Sequence, residues 1–132
     1  MDRSTDHLDT SLPTEQRVEL LVEQMTLPEK LAQLVGVWST GLVRDDAFSP
    51  ELASLQMPDG AGQVTRIAAS TGLRPDGLAR LHNQIQRWLV EHTRLGIPAI
   101  VHEEAVGGFC ARDAVQFPQA IGLASTWDPE LV

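Results

Sequence analysis

The sequence of 132 residues has one cysteine, no tyrosine and no long apolar run. A single cysteine, Cys110, excludes an intrachain disulfide and a zinc site built from a cysteine cluster. A bilayer-spanning helix needs about 18 or more apolar residues in succession, so we expect no contact with a membrane. Cys110 could be a lone nucleophile, but a small, partly buried thiol is the favoured interpretation.

Basic residues are scarce, because ten Lys and Arg accompany eighteen Asp and Glu and give a formal net charge of -8. Nucleic acids and anionic lipid surfaces attract clustered Lys and Arg, so neither is an expected partner. Residues 1–13 are polar and lack the apolar stretch of a secretory signal. We therefore expect a polar N-terminal tail over residues 1–13, a single globular unit over residues 14–132, and a cytoplasmic location.

Three amphipathic helices are predicted from start signals and from the spacing of apolar residues. The first begins at Pro13–Thr14, and the second begins at a capping box formed by Thr26 and Glu29 and ends at Gly36. The third begins at Pro75 and ends near Gly96, which we expect in the left-handed conformation. Their apolar positions are Val18, Leu21, Val22 and Met25, then Leu27, Leu31, Leu34 and Val35, then Leu78, Leu81, Ile85, Trp88 and Leu89.

Two short strands are predicted, one at Gly62–Ile67 and one at Ile97–His102. The second is an apolar run bounded by glycine and proline on one side and charges on the other, which is typical of a buried strand in a parallel sheet. Residues 38–62 are expected to be mostly loop, with a helical turn around residues 50–55. A helix, a tight turn and a buried strand form half of a βαβ unit, so the predicted fold class is α/β.

Ionisable residues gather at the end of the second strand, where His102, Glu103 and Glu104 precede Gly107 and Gly108. Ligands bind at such strand ends in α/β folds. Neighbouring side chains on a strand point to opposite faces, so the two glutamates should diverge. They therefore do not suit the acid/base pair of a glycosidase, whose carboxyl groups stand about 5–9.5 Å apart across one bond. Sequence position alone leaves open a functional role or an ordinary surface location.

Other reactive residues give weaker signals. The His-Glu-Glu sequence lacks the second histidine of a zinc helix motif, and His82 and His92 should lie on different faces of the third helix, so no metal is expected. Ser125 lacks the glycine-flanked elbow of a serine nucleophile. The sequence leaves two roles open for each of two tryptophans and for one arginine. Trp38 and Trp127 could stack on a sugar ring or pack in the core, and Arg66 could reach a pocket or form a surface salt bridge.

Three segments of the chain resemble family 3 glycoside hydrolases. LGIPAIVHEEAVGGF at residues 95–109, followed by FPQAIGLASTWDPELV at residues 117–132, is similar to the family segment in which an acidic residue ends a barrel strand. That family segment continues into a stretch like FPQAIGLAATWDPEL. MTLPEKLAQL at residues 25–34 resembles the N-terminal family element MTLEEKIAQL. The segments occur in the expected order, and the resemblance covers nearly everything after about Thr14.

The resemblance implies the N-terminal part of a (β/α)8-like TIM barrel, incomplete in this chain because a whole barrel needs about 250 residues. It also implies a retaining exo-acting glycosidase that removes sugars from a small β-glucoside or β-xyloside without a cofactor. The family's nucleophile, an Asp in a Ser-Asp-Trp-like motif, has no counterpart here, and its acid/base residue lies further on. We therefore expect no catalytic residue in this chain and no turnover without the C-terminal remainder of the enzyme.

One site residue carries over from the family motif. Glu104 aligns with the acidic residue that binds sugar hydroxyls in the innermost subsite. Many family members have His-Gly where this chain has Gly107 and Gly108, a difference that changes how the pocket floor is braced. The alternatives are a non-catalytic sugar-binding piece and, less favoured, an unrelated barrel lyase or isomerase that uses Glu103 or His102 as a base.

Overall fold

Helices alternate with short strands through residues 6–131, the part of the chain that the computed structural model describes. In chain order the elements are α1 (Thr14–Gln24), α2 (Leu27–Ala32), β1 (Gly36–Trp38), β2 (Val43–Arg44), β3 (Ala47–Phe48), α3 (Pro50–Gln56), β4 (Gln63–Thr65), α4 (Pro75–His92), β5 (Ile100–His102) and α5 (Ala120–Ala124). Single 3₁₀ turns occupy Asp6–Leu8 and Ser39–Gly41. Of the helices in this range, none has the length and apolar character that crossing a bilayer requires.

A parallel sheet of three strands forms the centre of the structure, in the order β1, β4, β5. The register aligns Trp38, Thr65 and His102 in one row at the carboxyl ends of the strands. Strands β2 and β3 pair separately as an antiparallel hairpin. Helix α4 connects β4 to β5, so the predicted helix, turn and parallel strand are confirmed and the fold class is α/β.

The helix start signals predicted from the sequence are present in the structure at the predicted residues. α2 has both halves of its capping box, because the N–H of Glu29 donates to Thr26 Oγ1 and the N–H of Thr26 donates to Glu29 Oε2 at 2.8 Å. α4 begins at Pro75, and the chain turns at Gly96 with a φ of +63°. The left-handed conformation predicted for Gly96 is confirmed. The short helical turn expected after Ser49 is also present, as α3.

The prediction for the end of the second helix was wrong, because α2 ends at Ala32 and residues Gly36–Trp38 form β1. The carbonyl groups of Ala32 and Val35 accept hydrogen bonds from the N–H groups of Gly62 and Gln63 at 2.9 and 3.4 Å. Pairing with β4 therefore replaces the next helical turn. A pairing over nearly thirty residues leaves no local signal in the sequence.

The second predicted strand exists, but it is shorter than predicted and not buried. β5 covers Ile100–His102 rather than Ile97–His102, and Ile100 is 68% exposed at the edge of the described sheet. Just before it, the side chain of Gln86 on α4 donates to the carbonyl of Ala99 at 2.7 Å and accepts from its N–H at 3.1 Å. A helix side chain therefore satisfies the backbone that was expected to belong to the strand.

The core lies between α4 and the parallel sheet. α4 buries Leu81, Ile85, Trp88 and Leu89, the positions that its helical period predicts. The other buried apolar members of this cluster are Val37, Leu42, Ala53, Met57, Ala61, Val64, Ile67 and Ala99. By contrast, the leucines of α2 are exposed, Leu27 at 69% and Leu31 at 53%.

Near the carboxyl terminus, two short features end the described chain. Helix α5 was not predicted, and it buries no residue. After α5 the chain forms a turn in which Asp128 Oδ1 accepts from the N–H of Glu130 at 3.1 Å. The described range ends at Leu131, just beyond this turn.

Candidate functional site

The candidate site lies at the carboxyl ends of the three parallel strands. The chain leaves β1 at Trp38, β4 at Thr65 and β5 at His102, and these three residues are neighbours in the register. The N–H of Arg66 donates to the carbonyl of His102 at 2.9 Å, which extends the pairing of β4 and β5 by one residue. Side chains that follow these three strands are therefore brought to one edge, where α/β folds bind ligands.

The two neighbouring glutamates engage different partners, so they diverge as predicted, although both lie beyond the end of β5. Glu103 Oε1 accepts a hydrogen bond from the N–H of Ala68 at 2.6 Å. Glu104 Oε2 accepts from Arg66 Nη1 at 3.1 Å. Glu104 is exposed, with 56% of its side chain accessible. The carboxylate available to a ligand at the strand ends is therefore that of Glu104.

Glu103 lies at a cleft of about 300 Å³ on the α4 side of the sheet. The cleft is otherwise lined by Ile67, Ala68, Leu78, Ala79, His82, Val101 and Phe109. Within residues 6–131, Glu103 Oε2 is buried without a hydrogen-bond partner, while Oε1 holds the backbone that follows β4. The structure therefore gives Glu103 a backbone-bracing contact, at a place separate from the Glu104 carboxylate.

Arg66 and Trp38 meet beside Glu104. The guanidinium carbon of Arg66 lies 5.3 Å from the centre of the Trp38 ring, within the range of a cation–π contact. The salt bridge weighed for Arg66 is therefore present, and its partner is the candidate site residue itself. Core packing, the commoner role for tryptophan, is wrong for Trp38 and Trp127, which are 53% and 92% exposed in the described structure.

The histidines lie apart from one another. His82 contacts the side chain of Gln86 at 3.1 Å, and His92 stacks on Trp88 with ring centres 5.6 Å apart. His102 is exposed at the end of β5. Among residues 6–131, no three His, Cys, Asp or Glu side chains converge as metal ligands would. Cys110 is partly buried, as predicted, with its Sγ 3.7 Å from Gln116 Oε1.

A tight backbone contact closes the loop after Glu104. The N–H of Phe117 donates to the carbonyl of Gly107 at 2.6 Å, and Gly107 is buried. A Cβ atom at Gly107 would overlap the carbonyl oxygen of Phe117. The loop therefore has no space for a side chain at position 107, which explains in steric terms why glycine occupies it.

The comparison with known families matches residues 26–132 to the glycosyl hydrolase family 3 N-terminal domain. The chain belongs to this family. The match includes the capping box of α2, all three parallel strands and the Glu104 loop, so the resemblance to this family is confirmed. The strand-end edge described above is thus an edge of a glycosyl hydrolase family 3 domain.

The family 3 chain is also similar to a protein of Formosa agariphila named "Putative beta-xylosidase". The two are 27% identical over 136 residues, which cover 98% of this chain and 18% of the relative. The chain therefore spans about a fifth of the length of that protein.

Gly107 provides a test of the loop geometry. We expect Gly107→Ala to lower the free energy of unfolding by about 1–3 kcal/mol, because overpacking against fixed backbone has effects of this size. Gly122→Ala is the control, since its Cβ would lie at an ordinary distance of 3.7 Å from Pro118 Cβ. Urea unfolding measures both variants, and a Gly107→Ala protein as stable as Gly122→Ala would contradict the described loop.

Proposed function

We propose that this family 3 chain forms the first part of a (β/α)8-like barrel and supplies Glu104 to the innermost sugar subsite. The enzyme would be a retaining exo-acting β-glycosidase of the β-xylosidase or β-glucosidase type. The family match and the name of the Formosa agariphila relative support a carbohydrate substrate. The family's nucleophile motif has no counterpart in the 132 residues, so we assign the bond-breaking carboxylates to the rest of the enzyme.

The observation that carries the proposal is the placement of Glu104. It follows β5 at the carboxyl edge of a parallel sheet, its side chain is exposed, and its Oε2 is held by Arg66. Residues 6–131 supply that one side-chain donor to the carboxylate, so Oε1 can accept hydrogen bonds from a ligand. An ionised carboxylate accepts hydrogen bonds only, which suits the donating hydroxyl groups of a sugar.

The chemistry of this role is positioning. Two vicinal hydroxyls that donate to one carboxylate fix the orientation of the sugar ring relative to the reacting groups. Each charge-assisted hydrogen bond contributes about 1.5–3 kcal/mol. Contacts that persist or strengthen in the transition state raise the rate of bond cleavage as well as the affinity. Glu104 therefore acts on the reaction without taking part in bond breaking.

The test uses the protein that the intact gene encodes, assayed with aryl β-D-xyloside and aryl β-D-glucoside. We expect hydrolysis of at least one substrate, and NMR of the released sugar should show that the anomeric configuration is retained. Glu104→Ala should lower kcat/KM by about 10- to 100-fold for each charge-assisted hydrogen bond that is lost. The 132-residue chain assayed alone should show no turnover.

Glu91→Ala is the matched control, because Glu91 is an exposed glutamate on α4, away from the strand ends. It should keep the wild-type kcat/KM. If Glu104→Ala also keeps the wild-type kcat/KM, Glu104 does not have the proposed role. Sugar binding by the intact gene product without any turnover would support the non-catalytic alternative instead.

A further inference from the structure

Arg66 has a backbone conformation that is unusual for its residue type. Its φ is +62°, in the left-handed region that non-glycine residues seldom adopt. Three hydrogen bonds hold it there: its N–H donates to His102 O at 2.9 Å, and its carbonyl accepts from Ser39 Oγ at 3.0 Å and from the N–H of Ser70 at 3.0 Å. Ser39 is fully buried. Backbone strain fixed by several contacts in this way is concentrated at functional sites.

The side chain of Arg66 lies between two groups from the neighbouring strands. On one side its guanidinium carbon is 5.3 Å from the centre of the Trp38 ring, which ends β1. On the other side its Nη1 is 3.1 Å from Glu104 Oε2, just beyond β5. The cation–π contact on one side and the ion pair on the other restrict the guanidinium, and they thereby limit the direction of its hydrogen bond to Glu104.

This ion pair differs from the exposed ion pairs in the described structure. Arg80 and Asp76 form a pair within α4 whose side chains are 70% and 67% exposed. The side chain of Arg66 is only 32% exposed, and its Nε is buried without a partner in the described region. An ordinary surface salt bridge involves neither a left-handed backbone held by three hydrogen bonds nor an aromatic ring under the cation.

We propose that Arg66 is a positioning residue for Glu104, with Trp38 as the surface on which the guanidinium rests. Arg66 holds Oε2 and thereby presents Oε1 of Glu104 to the hydroxyl groups of a neutral sugar. The guanidinium also balances the charge of the carboxylate, which favours a neutral ligand at this point. The inference rests on the proposed role of Glu104 and adds to it the residue that sets the direction of its carboxylate.

The test measures kcat/KM for the aryl glycoside that the intact gene product hydrolyses. Arg66→Asn removes the cation, and asparagine tolerates the left-handed conformation. We expect a loss of about 10-fold or more, the equivalent of one charge-assisted hydrogen bond. Arg66→Lys should recover part of that loss, because the ammonium group restores the charge. Arg80→Asn, which removes an exposed arginine from α4, should have no effect.

A double-mutant cycle separates positioning from other roles. Adding Arg66→Asn to Glu104→Ala should cause no further loss, because the group that Arg66 positions is already absent. A full further loss in that background would overturn the inference, as would wild-type kcat/KM in Arg66→Asn alone. Either of these two results would leave the proposed function intact as long as Glu104→Ala lowers kcat/KM. The proposed function itself would fail if Glu104→Ala keeps the wild-type kcat/KM.

Thermal unfolding of each variant distinguishes positioning from a merely structural role. If Arg66→Asn does not fold, Arg66→Gly serves in its place, because glycine adopts a positive φ readily. A folded Arg66→Gly with wild-type kcat/KM overturns the inference. The inference is also overturned if the Arg66 variant loses thermal stability in step with its loss of kcat/KM and Arg66→Lys recovers no activity.

Discussion

Replacing Glu29 with alanine should lower the free energy of unfolding by about 2 kcal/mol, because the change removes a buried carboxylate that accepts hydrogen bonds from Arg94 and from the N-cap residue Thr26. Glu29 is buried in the first turn of α2, with 7% of its surface exposed. Its Oε1 accepts from Arg94 Nε at 2.7 Å, and its Oε2 accepts from Arg94 Nη2. Arg94 Nη2 also donates to the carbonyl of Gln24, at the end of α1. The Glu29–Arg94 ion pair therefore links α1 and α2 to the turn before β5.

The same pair should make stability depend on pH. Hydrogen bonds from Arg94 lower the pKa of Glu29 from 4.5 to about 2, although burial acts in the opposite direction. A carboxylate whose pKa is lower in the folded state adds stability above its unfolded pKa, and this contribution disappears as the pH falls through the folded pKa. The contribution of Glu29 should therefore be lost between pH 4.5 and about pH 2. Glu29→Gln should lose less stability over that window.

Urea unfolding of the intact gene product at a series of pH values measures both effects. Arg80→Ala is the control, since Arg80 pairs with Asp76 on the exposed face of α4. Such pairs contribute about 0–1 kcal/mol, so Arg80→Ala should be close to wild type. If Glu29→Ala is no less stable than Arg80→Ala, the Glu29–Arg94 ion pair does not stabilise the packing of α1 and α2.

Gly62→Ala is the second change with a large expected effect. An added Cβ would overlap the carbonyl oxygen of Gln33, in the segment between α2 and β1. That segment cannot move away easily, because the N–H of Gly62 donates to the carbonyl of Ala32 at 2.9 Å and its own carbonyl accepts from Ile100 at 2.9 Å. We expect a loss of about 3 kcal/mol in the free energy of unfolding, at the upper end of overpacking effects.

Gly36→Ala is the matched control for this substitution. Gly36 lies in β1 and pairs with Gln63, the residue after Gly62, but its added Cβ would be 3.9 Å from Gln63 Cβ. That distance is an ordinary contact, so Gly36→Ala should unfold at nearly the same urea concentration as wild type. Equal stability of the two alanine variants would mean that β4 does not approach the α2–β1 segment as described.

Local signals predicted the features that depend on neighbouring residues. The capping box of Thr26 and Glu29, the start of α4 at Pro75 and the left-handed Gly96 each need only three or four adjacent residues, and the structure has all of them. The apolar period of α4 also predicted which of its side chains are buried, because one helix face packs on one sheet. In contrast, the apolar residues of α2 follow the same period and stay mostly exposed in the described chain.

The candidate site was predicted only in part, for a related reason. Sequence position and the family motif selected Glu104, and strand alternation separated it from Glu103. Arg66 and Trp38 were considered singly, and for each both a site role and an ordinary structural role were left open. Their meeting required β1 and β4 to be neighbours, and within the parallel sheet β1 is the strand that the sequence did not predict. Ser39, which helps to hold Arg66, gave no signal for the same reason.

The sequence by itself therefore determined the family, the α/β class and the carboxylate at the end of β5. It did so because helix caps, apolar periods and short motifs are encoded by residues close together in the chain. The tertiary structure alone decided that Arg94 reaches Glu29 across 65 residues and that Arg66 lies between Trp38 and Glu104. Those contacts depend on which strands are neighbours, and the pairing of β1 with β4 and of β4 with β5 joins residues that are far apart in the chain.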